Sequence, residues 1–223
     1  MKKLEDTIYT AIELSNNVAN NLTFPQSIPN SPNPLLLSKW YAKEIEYCTA
    51  EIDKIEQSCG LNCSCSKGCS SCCRMLIGVT PVEALAFTNT LSNMEKTLLD
   101  RIKSTVAEQC IMLTNYGFPN NPLTVLNYLN QEKEMQKKYF DLHLECPFLS
   151  FNKECLIYSV RPIPCWTYRY YGNKKDCDMS TFPKDNILYS EFEKREIERL
   201  DIAKPRKNTT LQILQFALKS LLC

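Results

Sequence analysis

The sequence predicts a mainly α protein: a compact helical domain in which two cysteine-rich irregular segments converge on a metal centre. Apolar residues recur every three to four positions over most of the chain, as at Leu37, Trp40, Tyr41, Ile45 and Cys48. A β/α architecture is disfavoured because strand–helix alternation is missing and the chain has only 5 glycines. Those glycines form no dinucleotide-binding or phosphate-binding motif.

Composition and charge limit the classes of partner. The 223 residues are 44% hydrophobic and 23% charged, with a formal net charge of +1, as in ordinary globular proteins. We therefore expect no nucleic acid partner and no membrane partner. No apolar run approaches the ~20 residues of a membrane span. Glu5, Asp6 and Glu13 interrupt the apolar stretch that a signal peptide would need, so we expect a cytoplasmic protein. The oligomeric state is left open.

The order of helices follows from the periodicity and from helix-start signals. Thr80, Pro81 and Glu83 have the spacing of a capping box, which predicts a helix starting at Pro81. Four prolines between residues 23 and 35 mark a linker. Helices are predicted over residues 1–20, 36–57, 81–91, 94–115, 123–143 and 187–222, the last broken at Lys204, Pro205 and Arg206. Three units are predicted: an N-terminal helical extension with the Pro-rich linker (1–58), a cysteine-cluster metal-binding domain (59–183) and a C-terminal helical tail (184–223).

Cysteine usage is the most unusual feature of the composition. The chain has 13 cysteines and 1 histidine, His143. In a cytosolic chain large enough to fold without disulfides, clustered cysteines indicate metal binding. The scarcity of histidine excludes His-rich zinc sites and most histidine-based acid–base catalysis. Two irregular segments carry the clusters: residues 59–77 contain Cys59, Cys63, Cys65, Cys69, Cys72 and Cys73, and residues 146–183 contain Cys146, Cys155, Cys165 and Cys177.

The remaining cysteines receive a different interpretation. Cys48 and Cys110 lie on the apolar faces of predicted helices, where a free cysteine packs as a small hydrophobic residue. Cys223 ends the chain and is assigned no role. Side chains of adjacent residues usually diverge. Cys72 and Cys73 are therefore expected either to serve two metal centres or to provide one ligand and one neighbouring thiol.

Three stretches together resemble a known family: CSKGCSSCC, then VTPVEALAF, then CPFLSFNKECLIYSVRPIPCWTY. They are similar to the bacterial CxxCxxCC cysteine-cluster proteins (YkgJ-like), a zinc- or iron-chelating domain, over about residues 65–177. Two departures from the family pattern are the extra residue between Cys65 and Cys69, and Trp166 where the family usually has arginine. The resemblance implies eight metal ligands: Cys65, Cys69, Cys72, Cys73, Cys146, Cys155, Cys165 and Cys177.

Two arginines are the candidate cofactor-binding cations. Four thiolates around Zn²⁺ or a [4Fe–4S]²⁺ core leave a formal charge of −2, which requires compensation inside a protein. Arg161 and Arg169 are embedded among prolines and aromatic residues, and Arg169 is the candidate replacement for the family's arginine. A dry wall that excludes solvent is expected from Phe148, Leu149, Ile157 and Tyr158.

The identity of the metal is not decided by ligand type, because zinc and iron–sulfur clusters both accept four thiolates. An iron–sulfur cluster of the [4Fe–4S] type is slightly preferred over zinc. The reason is that a relative of this family, the flagellin lysine N-methylase, has a similar cysteine cluster. That similarity implies an iron–sulfur protein acting on a protein lysine with SAM. The favoured function is a metal-binding protein that acts on a protein or peptide partner. No catalytic residue is assigned, and if the protein is an enzyme it is a peptide- or protein-modifying metalloenzyme.

Other functions remain open. A structural zinc-binding interaction module and a metal chaperone are the main alternatives. A methylase-like SAM enzyme is less favoured, since little in the chain resembles a SAM site. Cys65, Cys69 and Cys72 also have the CxxxCxxC spacing of radical SAM enzymes, but the scarcity of glycine and the lack of β/α alternation count against that class.

Overall fold

A computed structural model describes residues 3–29, 33–66, 68–179, 183–202 and 210–222. Its described part is mainly helical, which confirms the mainly α part of the predicted fold class. The helices are α1 (Leu4–Asn20), α2 (Pro34–Cys59), α3 (Pro81–Ser92), α4 (Lys96–Asn115), α5 (Val125–Asp141), α6 (Ile163–Thr167), α7 (Lys174–Met179), α8 (Ser190–Ile202) and α9 (Leu214–Leu222). The strands are β1 (Gly78–Val79), β2 (Leu123–Thr124), β3 (Tyr168–Tyr170), β4 (Asn186–Leu188) and β5 (Thr210–Ile213).

The helix-start and helix-stop signals act as the sequence predicts. At the start of α3, the Thr80 N–H donates to Glu83 Oε2 (2.7 Å) and the Glu83 N–H donates to Thr80 Oγ1 (3.2 Å). Both bonds of the capping box are therefore present. At the end of α2, Gly60 takes a left-handed conformation with φ of 72°, which a glycine adopts without steric cost.

Short strands were missed by the sequence prediction. β5 pairs antiparallel with β1 through Gly78 and Ile213, and with β2 through Leu123 and Leu211. The helix predicted over 187–222 is wrong at residues 187–188, which belong to β4, and at residues 210–213, where β5 bridges two segments that are distant in sequence. The predicted break at Lys204, Pro205 and Arg206 lies outside the described residues.

The second cysteine segment is less irregular than predicted. Residues 146–183 contain α6, β3 and α7, and β3 pairs with β4 through Arg169 and Ile187. The first segment contains a 3₁₀ helix, Ser71–Arg74. Elements this short give no detectable period in a sequence, and tertiary contacts decide whether they form.

One set of packed apolar side chains extends through the described fold. It includes Ala11 of α1, Tyr41 of α2, Phe87 of α3, Trp166 of α6 and Leu218 of α9. α2 packs against α1 and α3, α8 packs against α1, and α9 packs against α4. The division at residues 58 and 183 stays a prediction, while core residues from all three ranges pack together. None of the described helices has the length and apolar character needed to cross a lipid bilayer.

Candidate metal centre

Local backbone hydrogen bonds shape the first cysteine segment. The Cys69 N–H donates to the Ser66 carbonyl oxygen (2.9 Å), and the Cys73 N–H donates to the Ser70 carbonyl oxygen (3.0 Å). Gly68 has φ of 86°, a conformation that most other residues avoid. The 3₁₀ helix Ser71–Arg74 then carries Cys72 and Cys73 on consecutive positions. This region is a tight turn followed by one turn of helix.

The second segment is joined to the first by the backbone. The Cys146 N–H donates to the Cys73 carbonyl oxygen (2.7 Å). A tight loop follows. Leu149 and Cys155 form an isolated antiparallel β-bridge that closes this loop. Cys165 lies on α6, and its N–H donates to the Pro162 carbonyl oxygen (2.9 Å). Thiols from both segments are thereby brought to the same region.

Six of the eight predicted ligands line one cavity of about 90 Å³, here called the cysteine cavity. Its apolar lining includes Met75, Ile77, Phe148, Ile157 and Leu214. Its six thiol-bearing residues are Cys69, Cys72, Cys73, Cys146, Cys155 and Cys165. The cavity therefore combines several thiols with a largely apolar wall.

The other two predicted ligands lie on a smaller neighbouring cavity. Cys65 and Cys177 line a space of about 20 Å³ that also includes Cys69 and Cys72. Those last two residues therefore border both cavities. The eight predicted ligands are adjacent, but they divide into a larger group and a smaller group that meet at Cys69 and Cys72.

The thiols are near one another without being arranged as a formed metal site. Among the described residues, no three histidine, cysteine, aspartate or glutamate side chains have an arrangement that could hold a metal ion. None of the twelve cysteines within the described ranges forms a disulfide. Cys48 and Cys110 are buried in α2 and α4, as their predicted packing role requires.

Burial determines the protonation of the cavity thiols. It raises the pKa of Cys146 to about 12, and it also raises the pKa of Cys155 and of Cys165. Nearby Cys72, Cys146 and Cys155 further raise the pKa of Cys165, and Arg161 opposes that rise. A hydrogen bond with Cys73 is the main cause of the raised pKa of Cys72. A metal bound here would displace protons from neutral thiols.

Arg161 is the candidate cation that lines the cysteine cavity. The residue is 9% exposed, and its guanidinium carbon lies 4.0 Å from the centre of the Tyr158 ring. Its Nε atom is buried and has no hydrogen-bond partner. The same cation lowers the pKa of Cys155 and of Cys165. Arg161 therefore supplies positive charge beside the thiols.

Arg169 has a different position from the one expected of a cavity cation. Its Nη2 lies 3.1 Å from Asp53 Oδ1, and its Nε lies 3.8 Å from Glu56 Oε1. It also forms a hydrogen bond with Cys63. A hydrogen bond from the Cys65 thiol, assisted by Arg169, lowers the pKa of Cys63 to about 5. Arg169 is not among the residues that line either thiol cavity.

Two neighbours of the thiols had no role in the sequence prediction. Cys63 lies beside Cys65, and the Cys-x-Cys spacing is the signal that indicates it. Gln215 of α9 lines the cysteine cavity and is 2% exposed. Its Nε2 donates to Tyr139 Oη (2.6 Å), while its Oε1 is buried without a hydrogen-bond partner. No sequence signal indicates that a glutamine in the last helix would reach the cysteines.

The predicted dry wall is partly correct. Phe148 and Ile157 are buried and line the cysteine cavity, whereas Leu149 is buried but is not among the lining residues. Tyr158 lines the cavity but is 51% exposed, so it does not form a fully dry part of the wall. Its ring packs against the Arg161 guanidinium instead, an arrangement in which an aromatic ring stabilises a cation while its edge stays hydrated.

Comparison with known proteins adds no further constraint on this site. No protein-family model, curated protein or solved structure matches the chain. The resemblance to the CxxCxxCC family therefore depends on the three sequence stretches alone.

Proposed function

We propose that this protein binds a metal centre in the cysteine cavity, with Cys72, Cys146, Cys155 and Cys165 as the four thiolate ligands. The observation that carries the proposal is that cysteines from both segments line one cavity. These four are also coupled electrostatically, because Cys72, Cys146 and Cys155 each raise the pKa of Cys165. Since no three such side chains among the described residues are arranged to hold a metal, the proposal requires the four sulfurs to move to one centre on binding.

The size of the cavity favours an iron–sulfur cluster over a single zinc ion. A water molecule needs roughly 10–15 Å³ when cavity volume is measured with a water-sized probe. The cysteine cavity, at about 90 Å³, is several times larger. A [4Fe–4S] core has eight atoms, whereas Zn²⁺ is one ion held by thiolates at about 2.3 Å. We therefore propose [4Fe–4S] as the preferred occupant and zinc as the alternative.

The polar groups of the cavity suit an anionic centre. Four thiolates around either metal leave a formal charge of −2. Arg161 lines the cavity with an unpartnered Nε, so it is available to compensate that charge. The apolar wall limits solvent access, which affects both metal retention and reduction potential. When bound through four thiolates, a cluster of this type would supply one-electron transfer.

The motif resemblance favours action on a protein or peptide partner, with the centre serving a modification reaction. The acidic residues Glu5, Asp6 and Glu13 near the start of the sequence favour a location in the cytoplasm. A structural zinc module and a metal chaperone are the alternatives. They differ in one observable property, because a structural site would be needed for folding and a chaperone site would release its metal while folded.

The ligand assignment is tested by anaerobic purification, metal and sulfide analysis, and an absorption spectrum of the wild-type protein and five variants. Cys146→Ser and Cys165→Ser are expected to lose most of the bound metal. Cys48→Ala and Cys110→Ala are matched controls, because these buried cysteines lie outside the thiol cavities, and they should keep it. Full metal content in the Cys146→Ser, Cys165→Ser double variant would contradict the proposal. Absence of bound iron and zinc from the wild-type protein after reconstitution would also contradict it.

A further inference from the structure

A second and much larger cavity, here called the apolar cleft, lies beside the cysteine cavity. Its volume is about 650 Å³, within the roughly 300–1,000 Å³ typical of pockets for small organic ligands. Residues of α5 and α8 line it together with Leu76, Ile77 and Gly78. Cys72 and Cys165 line both this cleft and the cysteine cavity.

The lining and the opening of the apolar cleft favour a ligand with an apolar body. The apolar residues along the lining include Met75, Leu76, Ile77, Val125, Ile163, Ile197 and Leu211. Leu129 and Leu188 also line the cleft, although they are 56% and 41% exposed. Exposed leucines beside a deep apolar pocket are typical of surfaces that a ligand covers.

Two carboxylates interrupt this apolar surface. Glu132 of α5 and Glu193 of α8 both line the cleft, and both are only partly exposed. Glu193 Oε1 accepts a hydrogen bond from Thr167 Oγ1 (2.6 Å). Within the described ranges its other oxygen accepts no hydrogen bond. The two residues come from different helices that line the same cleft, and the charge of Glu132 acts on Glu193.

The other charged groups at the cleft already have partners or lie towards its exposed rim. Glu83 Oε1 accepts from the Ile163 N–H (2.8 Å) and from Tyr41 Oη (3.0 Å), and its Oε2 accepts from the Thr80 N–H. Lys194 is exposed and lies 3.6 Å from Glu191. Glu198 is exposed. Glu132 and Glu193 each have one side-chain partner, Gln136 and Thr167, so both keep acceptor capacity for a ligand.

We propose that the apolar cleft binds a small organic amine, with its ammonium group between Glu132 and Glu193 and its apolar body along the cleft. A cation between two partly buried carboxylates reduces their mutual repulsion. It also offsets the free-energy cost of the hydration that the carboxylates lose on burial. A neutral ligand offers no such compensation. The proposal does not depend on the metal centre, because neither glutamate is a metal ligand.

The raised pKa values of Glu193 and Glu132 predict how the affinity for an amine depends on pH. The pKa of Glu193 is raised to about 7, chiefly by burial and in part by the charges of Glu132 and Glu83, while the hydrogen bond from Thr167 opposes the rise. Burial also raises the pKa of Glu132, and a hydrogen bond with Gln136 opposes that rise. Ammonium binding favours the carboxylate forms and so releases protons. Affinity for an amine should therefore increase as the pH rises from about 6 to about 8.

The test measures the binding of 4-phenylbutylamine, with 4-phenylbutan-1-ol as the neutral counterpart, by isothermal titration calorimetry at pH 6 and pH 8. We expect the amine to bind more tightly at pH 8 and the alcohol to bind at least about tenfold more weakly than the amine. Equal affinities for amine and alcohol would overturn the proposal. Undetectable binding of the amine at millimolar concentration would also overturn it.

Variants locate the binding site. Glu132→Gln and Glu193→Gln should each weaken amine binding by about tenfold or more while leaving alcohol binding unchanged. Glu134→Gln is the matched control, because Glu134 lies on α5, does not line the cleft and pairs with Lys138 at the surface. Unchanged amine affinity in the Glu132→Gln, Glu193→Gln double variant would overturn the assignment. The pH comparison on wild-type protein keeps the test decisive if a variant does not fold.

Discussion

The Cys146 N–H donates a hydrogen bond to the carbonyl oxygen of Cys73, with 2.7 Å between nitrogen and oxygen. A second such bond joins the Ser64 N–H to the Tyr170 carbonyl oxygen, also at 2.7 Å. The two cysteine segments are therefore held together by their own backbones. The apolar core, which extends from α1 to α9, includes side chains of both cysteine segments.

Removal of the metal should leave the protein folded. The helices pack through a core that does not depend on thiolate ligands, so a chelator should change the far-UV circular dichroism spectrum little. Denaturant unfolding of the metal-free protein should remain cooperative, with a lower midpoint, because a ligand that binds only the native state stabilises it. Loss of helical signal on chelation would contradict this expectation and would favour the structural zinc module.

Gln136 of α5 is expected to be essential for the position of the chain that follows Cys73. Its Oε1 accepts from the Leu76 N–H (3.0 Å), and its Nε2 donates to the Leu76 carbonyl oxygen (2.7 Å). Gln136→Leu would leave both buried backbone groups unpaired, at a cost of roughly 2–5 kcal/mol in unfolding free energy. Gln131→Leu is the control, because Gln131 is exposed on the same helix. Equal unfolding free energies for the two variants would contradict this role.

Glu83 should position Cys165 through the backbone of α6. One carboxylate oxygen accepts from the Ile163 N–H at 2.8 Å, and the other caps α3 at Thr80. Glu83→Gln replaces one acceptor oxygen with a donor and should lower the unfolding free energy by about 1–3 kcal/mol.

The same substitution should also weaken metal retention, measured as the chelator concentration that removes half of the metal. The control is Glu108→Gln, at an exposed position of α4 that accepts a bond from Ser104. A Glu83→Gln protein that loses stability but holds metal as tightly as wild type would show that Glu83 supports the fold without positioning Cys165.

Glu196 should make the protein less stable as the pH rises. Burial raises its pKa to about 8, with repulsion from Glu44 as the next cause and attraction to Arg199 opposing both. Its two oxygens are buried without hydrogen-bond partners. Because the native state binds this proton more tightly than the unfolded state does, its contribution is full below about pH 4 and is lost as the pH rises through about 8.

Glu196→Gln removes this titration. The variant should be more stable than wild type at pH 8.5 by about 1–3 kcal/mol, and the difference should shrink at pH 5. Glu198→Gln, at an exposed position on the same helix, is the control and should follow wild type. Urea unfolding at the two pH values measures both differences. A constant difference between Glu196→Gln and wild type across this range would contradict the proposed titration.

The sequence was sufficient to predict the helices with strong local signals. The capping box at Thr80 and the glycine stop at Gly60 are encoded within a few residues, so local physics decides them. The burial of Cys48 and Cys110 follows from their place on apolar helix faces. Strand β5 was missed because its partners, Gly78 and Leu123, are distant in the chain.

The grouping of the thiols was only partly predictable. Cysteine spacing indicates that residues 59–73 and 146–177 act together, but it does not show that Cys69 and Cys72 lie between two cavities. Arg169 was expected at the centre, yet its contacts are with Asp53 and Glu56 of α2 and with Cys63. The apolar cleft had no sequence signal, because its acids come from α5 and α8 and become neighbours only through tertiary packing.

X-ray absorption spectroscopy of the anaerobically purified protein, at the iron and zinc K edges, tests the metal assignment most directly. A [4Fe–4S] centre in the cysteine cavity predicts iron with a first shell of sulfur only and a second shell of neighbouring iron atoms. A zinc shell of four sulfurs at about 2.3 Å would retain the thiolate site but replace the cluster with the alternative metal. A first shell of nitrogen and oxygen at either edge, or no bound metal, would contradict thiolate ligation by these cysteines.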